Sequence, residues 1–112
     1  MGIGLIACRL AIENKIAKLA YDAEQAFIAE EFPVALNCYD TAIRLEGILK
    51  SFDRLSGMAI NLYINRAGCY IRLNMIPLAI DDCEICISQW PFSNAAWETQ
   101  IEIHLQCKVS KR

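Results

Sequence analysis

An all-α chain of about five helices is what this 112-residue sequence predicts, and three features predict it. Apolar residues recur at three- and four-residue steps along most of its length. No segment sustains the two-residue alternation of a half-buried strand. A proline-marked helix start also occurs twice. Phe32-Pro33-Val34-Ala35-Leu36 aligns with Ile76-Pro77-Leu78-Ala79-Ile80, and Tyr39 and Ala42 align with Cys83 and Cys86. Two copies of one helical hairpin in a short chain predict a solenoid.

Composition narrows the class further. The length fits one domain with a modest core. The apolar fraction is 55%, yet charges interrupt every apolar run before it nears the roughly 18 residues of a membrane span. Net charge is −2 with both signs interspersed, so no basic stripe points to nucleic acid. Gly2 lacks the Ser or Thr that a myristoylation motif wants where Ile6 stands. Leu5-Ile6-Ala7-Cys8 resembles a lipoprotein box but has no signal segment before it, so ordinary helix is expected there. The six cysteines fall inside helical patterns and read as buried free thiols of a cytoplasmic chain.

The elements follow in order. Arg9–Glu30 carries Leu10, Ile12, Ile16, Leu19, Ala20, Ala23, Ala26 and Phe27 at helical spacing without Gly or Pro, which predicts a long first helix. Pro33 opens the second; a proline at a helix's first position loses no hydrogen bond. That helix continues through Ile48 and Leu49 towards Phe52, and Ser56-Gly57 caps or turns the chain. Met58–Leu73 and Pro77–Gln89 are the third and fourth helices. Ser93 or Asn94 caps a fifth, Ala95–Cys107, before a frayed basic tail, Val109–Arg112. In that last helix Trp97, Ile101 and Leu105 are expected to face the preceding hairpin, with Glu98, Glu102 and Gln106 facing water.

The stretch Ile60–Ser93 resembles a full tetratricopeptide repeat. Tyr63, Ala67, Tyr70, Ala79, Cys83 and Pro91 stand at its aromatic, small, Tyr, Ala, Phe and Pro positions. Residues 16–51 resemble a weaker copy, in which Leu19, Ala23, Ala35, Tyr39 and Ala42 match and Gly47 replaces the proline. Trp97–His104 resembles the opening helix of a third copy. The two proline-marked starts are 77 − 33 = 44 residues apart, longer than the standard repeat, as in co-chaperone-type members of the family. The domain reading is therefore repeat 1 over about 16–51, repeat 2 over about 60–93 and a capping helix over about 94–108.

No enzymatic constellation stands out. Cys83-Glu84-Ile85-Cys86 is a C-x-x-C, but it lies within a helix on positions the repeat fills with core residues, and no second pair follows at zinc spacing. Asp81-Asp82 and Glu30-Glu31 point about 100° apart on a helix and read as solvated surface. His104 stands at the repeat's Tyr position and is expected to pack. No catalytic residue, metal site or cofactor is expected.

The resemblance implies a concave groove lined by the first helix of each repeat, binding a peptide or partner helix. Transferred here, its positions include Tyr21, Glu24 and Ile28 with Ala17; Asn61, Asn65 and Arg72 with Ile64 and Gly68; and Glu98 and Glu102 with Ala95 and Thr99. Chaperone-binding members clamp an acidic chain terminus with Lys, Asn and Arg side chains. Only Asn65 matches that clamp; Ala20, Glu24, Ala95 and Thr99 replace the rest. With Glu98 and Glu102 adding negative charge, a neutral, apolar or mildly basic peptide is the expected ligand. The alternative is a self-associating scaffold, a homodimer for instance, or a fragment of a longer repeat protein.

Overall fold

The computed structural model describes residues 2–50, 58–89 and 91–110 and contains five helices: α1 Gly2–Ile28, α2 Phe32–Lys50, α3 Met58–Arg72, α4 Ile76–Gln89 and α5 Asn94–Ser110. The described residues contain no strand. The expected Ser56-Gly57 cap and the reach of the second helix to Phe52 lie outside them. α5 runs through Val109 and Ser110, where a frayed tail was expected.

Two successive hairpins share one turn. After α1, Glu31 N–H donates to Ala26 O (2.8 Å) and Glu30 N–H to Phe27 O (3.0 Å), with Glu30 left-handed at φ 61°. After α3, Met75 N–H donates to Tyr70 O (2.7 Å) and Asn74 N–H to Ile71 O (3.1 Å), with Asn74 at φ 59°. Both are Schellman caps, which satisfy the last carbonyls of a helix by reversing the chain. The same residue then starts the next helix, since Ala35 N–H donates to Glu31 O and Ala79 N–H to Met75 O. This corrects the placement of Pro33 and Pro77: each sits one residue inside the helix, where its missing N–H is still without an intrahelical partner.

Asparagine tolerates the left-handed region; glutamate pays for its Cβ there. Glu30→Gly is therefore expected to raise stability by about 0.5–1 kcal/mol in chemical denaturation, and Asn74→Gly by less.

The hairpins pack through the same small residues at a constant offset of 44. Ala23 and Ala67, and Ala35 and Ala79, are all fully buried, and Tyr39 and Ala42 are buried like Cys83 and Cys86. One cluster joins Ile16, Ala23, Ala35, Tyr39 and Ala42 to Leu62 and Cys69 of α3; a second joins Ala67 and Ile71 to Ala79 and Cys83 of α4 and Ile103 of α5. Thus α3 turns one face to the first hairpin and the other to α4. Each helix packs on its sequence neighbours, and α5 reaches both α3 and α4.

The fifth helix corrects an expectation. Ala96 and Ile103 point inward, while Trp97, Ile101 and Leu105 are 45%, 59% and 59% exposed. His104 is also exposed rather than packed. A 34-residue offset from α3 explains the choice. Ala96 and Ile103 correspond to Leu62 and Cys69, the face α3 turns towards the first hairpin. Ile101 and Leu105 correspond to Ala67 and Ile71, the face that α4 covers on α3. Ser93 caps α5, its Oγ accepting from Ala96 N–H at 3.5 Å, and Trp97 Nε1–H donates to Pro91 O at 2.8 Å. Trp97 therefore anchors the turn instead of filling the core.

At the other end α1 has 27 residues, and α2 is described over 19. Leu10, expected on the packed face, is exposed together with Ile6. No described helix is long and apolar enough to cross a membrane.

Candidate peptide-binding cleft

α1, α3 and α5 converge with Tyr39 of α2 around one open cleft of about 450 Å³. That lies within the range of ligand pockets. α1 contributes Glu24, Phe27 and Ile28; α3 contributes Ile64, Asn65 and Gly68; α5 contributes Thr99 and Glu102.

Local sequence sets this geometry. Phe27 lies across Gly68 of α3, its Cε2 being 3.8 Å from where a Cβ would stand, an ordinary van der Waals distance. Phe27 is fixed in turn by an edge-to-face contact with Phe32, centroids 5.1 Å apart, beside the α1–α2 turn. Tyr39 is buried, and burial pushes its phenol up to about 12, although the neighbouring Asn65 side chain works the other way. The Asn65 amide is exposed beside it and has both donors and an acceptor to offer. Thr99 spends its hydroxyl proton on Ala95 O at 2.8 Å, so it offers the cleft only acceptor lone pairs.

Of the residues expected in the groove, Glu24, Ile28, Asn65 and Glu102 line this cleft, as do Ile64, Gly68 and Thr99. Tyr21, Asn61, Arg72 and Glu98 are exposed on the same helices but do not line it. Arg72 lies over the Phe27 ring, 5.9 Å from its centroid. Phe27 was read as an apolar-face residue of the first helix and Tyr39 as a match to the repeat pattern; both are walls of the cleft. Their helical spacing marked them as apolar-face residues, and no signal in the sequence separated wall from core.

A second polar centre had no expectation attached. Arg66 donates to both oxygens of Asp82, Nε at 2.9 Å and Nη2 at 2.6 Å, and Nη1 to Asp40 Oδ1 at 3.1 Å. Its guanidinium lies 5.5 Å from the Tyr63 centroid and 5.7 Å from that of Tyr70. This corrects the surface reading of Asp82, which is 2% exposed; its neighbour Asp81 does face water. Burial lifts the Asp82 carboxyl above the ordinary range despite Arg66, while the hydrogen bonds from Arg66 hold the guanidinium proton more tightly. With acidic groups on two sides of Arg66, the cluster ties α2, α3 and α4 together.

The C-x-x-C thiols sit in the interior. Cys83 and Cys86 are buried, and Cys86 Sγ–H donates to Ile60 O at 3.9 Å. Burial pushes Cys83 up to about 11 and Cys86 to about 12, the opposite of the depressed value that makes a thiol nucleophilic. Among the described residues no group of His, Cys, Asp and Glu has the arrangement of a metal site.

Comparison with protein-family models, with curated proteins and with solved structures finds no match to this chain.

Proposed function

We propose that this chain is a non-enzymatic interaction module of tetratricopeptide-like type that takes an extended peptide or a partner helix in the cleft between α1, α3 and α5. One observation carries the reading: residues from three different helices, at the groove positions of that repeat, surround a single cavity with apolar walls and an available amide. The recurrence of one hairpin, with the same cap and the same buried alanines 44 residues on, supports the repeat architecture. The unpaired thiols Cys8, Cys38, Cys69, Cys83 and Cys86 support a reducing, cytoplasmic setting.

Three positions of the co-chaperone clamp, held here by Glu24, Asn65 and Thr99, border the cleft, yet none supplies a cation. The acidic tails of heat-shock chaperones are therefore poor candidates. A screen of the monomer against an array of peptides with free C-termini tests the proposal. Selective binding is expected, weakened about fivefold to tenfold by Asn65→Ala. An array on which the folded monomer selects nothing contradicts it.

A second reading, self-association, draws on the exposed Trp97–Ile101–Leu105 stripe, the face that a following helix covers on α3. Sedimentation of the same sample separates the two. A dimer dispersed by Ile101→Glu, with no peptide selected, favours a scaffold.

A further inference from the structure

The polar side of the cleft is built almost wholly of acceptors. Glu24 enters from α1 and Glu102 from α5, and no lysine or arginine is among the lining residues. Neither carboxylate forms an ion pair among the described residues. Thr99 adds oxygen lone pairs because its proton is committed to the backbone of its own helix. Opposite these acceptors stand Phe27, Ile28 and Ile64.

Resting on the cleft being a peptide site, we infer that it selects a segment presenting one lysine or arginine within an apolar sequence. A long basic side chain matches both halves of the cleft. Its methylene stem covers apolar surface while its head delivers several N–H donors to carboxylates. Asn65, which lines the same cleft, brings an amide that can bond the peptide backbone beside that anchor. An acidic side chain in the same place meets two negative charges and few donors, which disfavours it on both counts.

Three capped peptides with one apolar frame test this: acetyl-Ala-Leu-Ala-X-Ala-Leu-Ala-amide with X as lysine, norleucine or glutamate. Calorimetry at low ionic strength is expected to rank lysine above norleucine by about tenfold and glutamate last. Glu24→Gln with Glu102→Gln should remove most of the lysine preference, and Glu24→Lys with Glu102→Lys should turn it towards glutamate. Both side chains are exposed, so these variants should stay folded. Glu98→Gln, on the same helix but outside the cleft, should leave the ranking unchanged. Equal binding of all three peptides, or a preference that survives the double Gln variant, overturns the charge inference and leaves the peptide site standing. If none of the three binds the folded protein, both fall.

Discussion

Arg66→Met is expected to cost about 3–5 kcal/mol of unfolding free energy in urea denaturation, because it strands a carboxylate the fold has removed from water. Asp82 is 2% exposed and receives both of its short hydrogen bonds from that one guanidinium. A domain is commonly stable by about 5–15 kcal/mol, so this variant should be partly unfolded even without denaturant. Breaking the pair is costly, yet the pair itself contributes little, since burial raises the Asp82 carboxyl despite its partner. A double variant, Arg66→Met with Asp82→Leu, should therefore recover most of the loss. A single variant losing under about 1 kcal/mol contradicts the arrangement.

Alkaline unfolding is the second large effect. Cys69 and Cys83 are pushed up to about 11, and Cys86 and Tyr39 to about 12, in each case chiefly by burial. A group whose pKa is raised on folding contributes stability that is fully present below its unfolded value and lost as pH climbs through the folded one. Unfolded thiols titrate near 8.5, so stability should hold to about pH 8.5 and then fall steeply towards pH 11. Each raised unit is worth about 1.4 kcal/mol, so the chain should unfold before the buried thiols ionise in place. Circular dichroism against pH, run in reductant, shows the loss. Cys69→Ala should flatten it, and a helical signal unchanged at pH 11 contradicts the burial of these groups.

The fold was largely legible because its information is periodic. Apolar spacing located all five helices, and the doubled Pro-Val-Ala and Pro-Leu-Ala starts revealed the repeated hairpin. Which face of a helix is covered was harder to read. α5 has two apolar edges, Ala96/Ile103 and Trp97/Ile101/Leu105, and the larger side chains were the wrong guide. On the buried edge Ala96 is small, as Ala67 and Ala79 are between α3 and α4, and Ile103 joins the cluster those two alanines form. Asp82 misled for another reason. Its counterpart in the first hairpin, 44 residues earlier, is Cys38, and Arg66 corresponds to Asp22, so the repeat pattern does not contain the pair. Tyr39 and Phe27 were legible as apolar but not as cleft walls, because that distinction depends on how far apart the helices stand.

A backbone amide shift map of the ¹⁵N-labelled protein, titrated with the lysine peptide, tests the central claim most directly. Binding in the cleft should move Glu24, Ile28, Ile64, Asn65, Gly68, Thr99 and Glu102 together, with a saturation curve common to all three helices. Shifts confined to the outer face of α5 at Trp97, Ile101 and Leu105, or no shifts at saturating peptide, would contradict it.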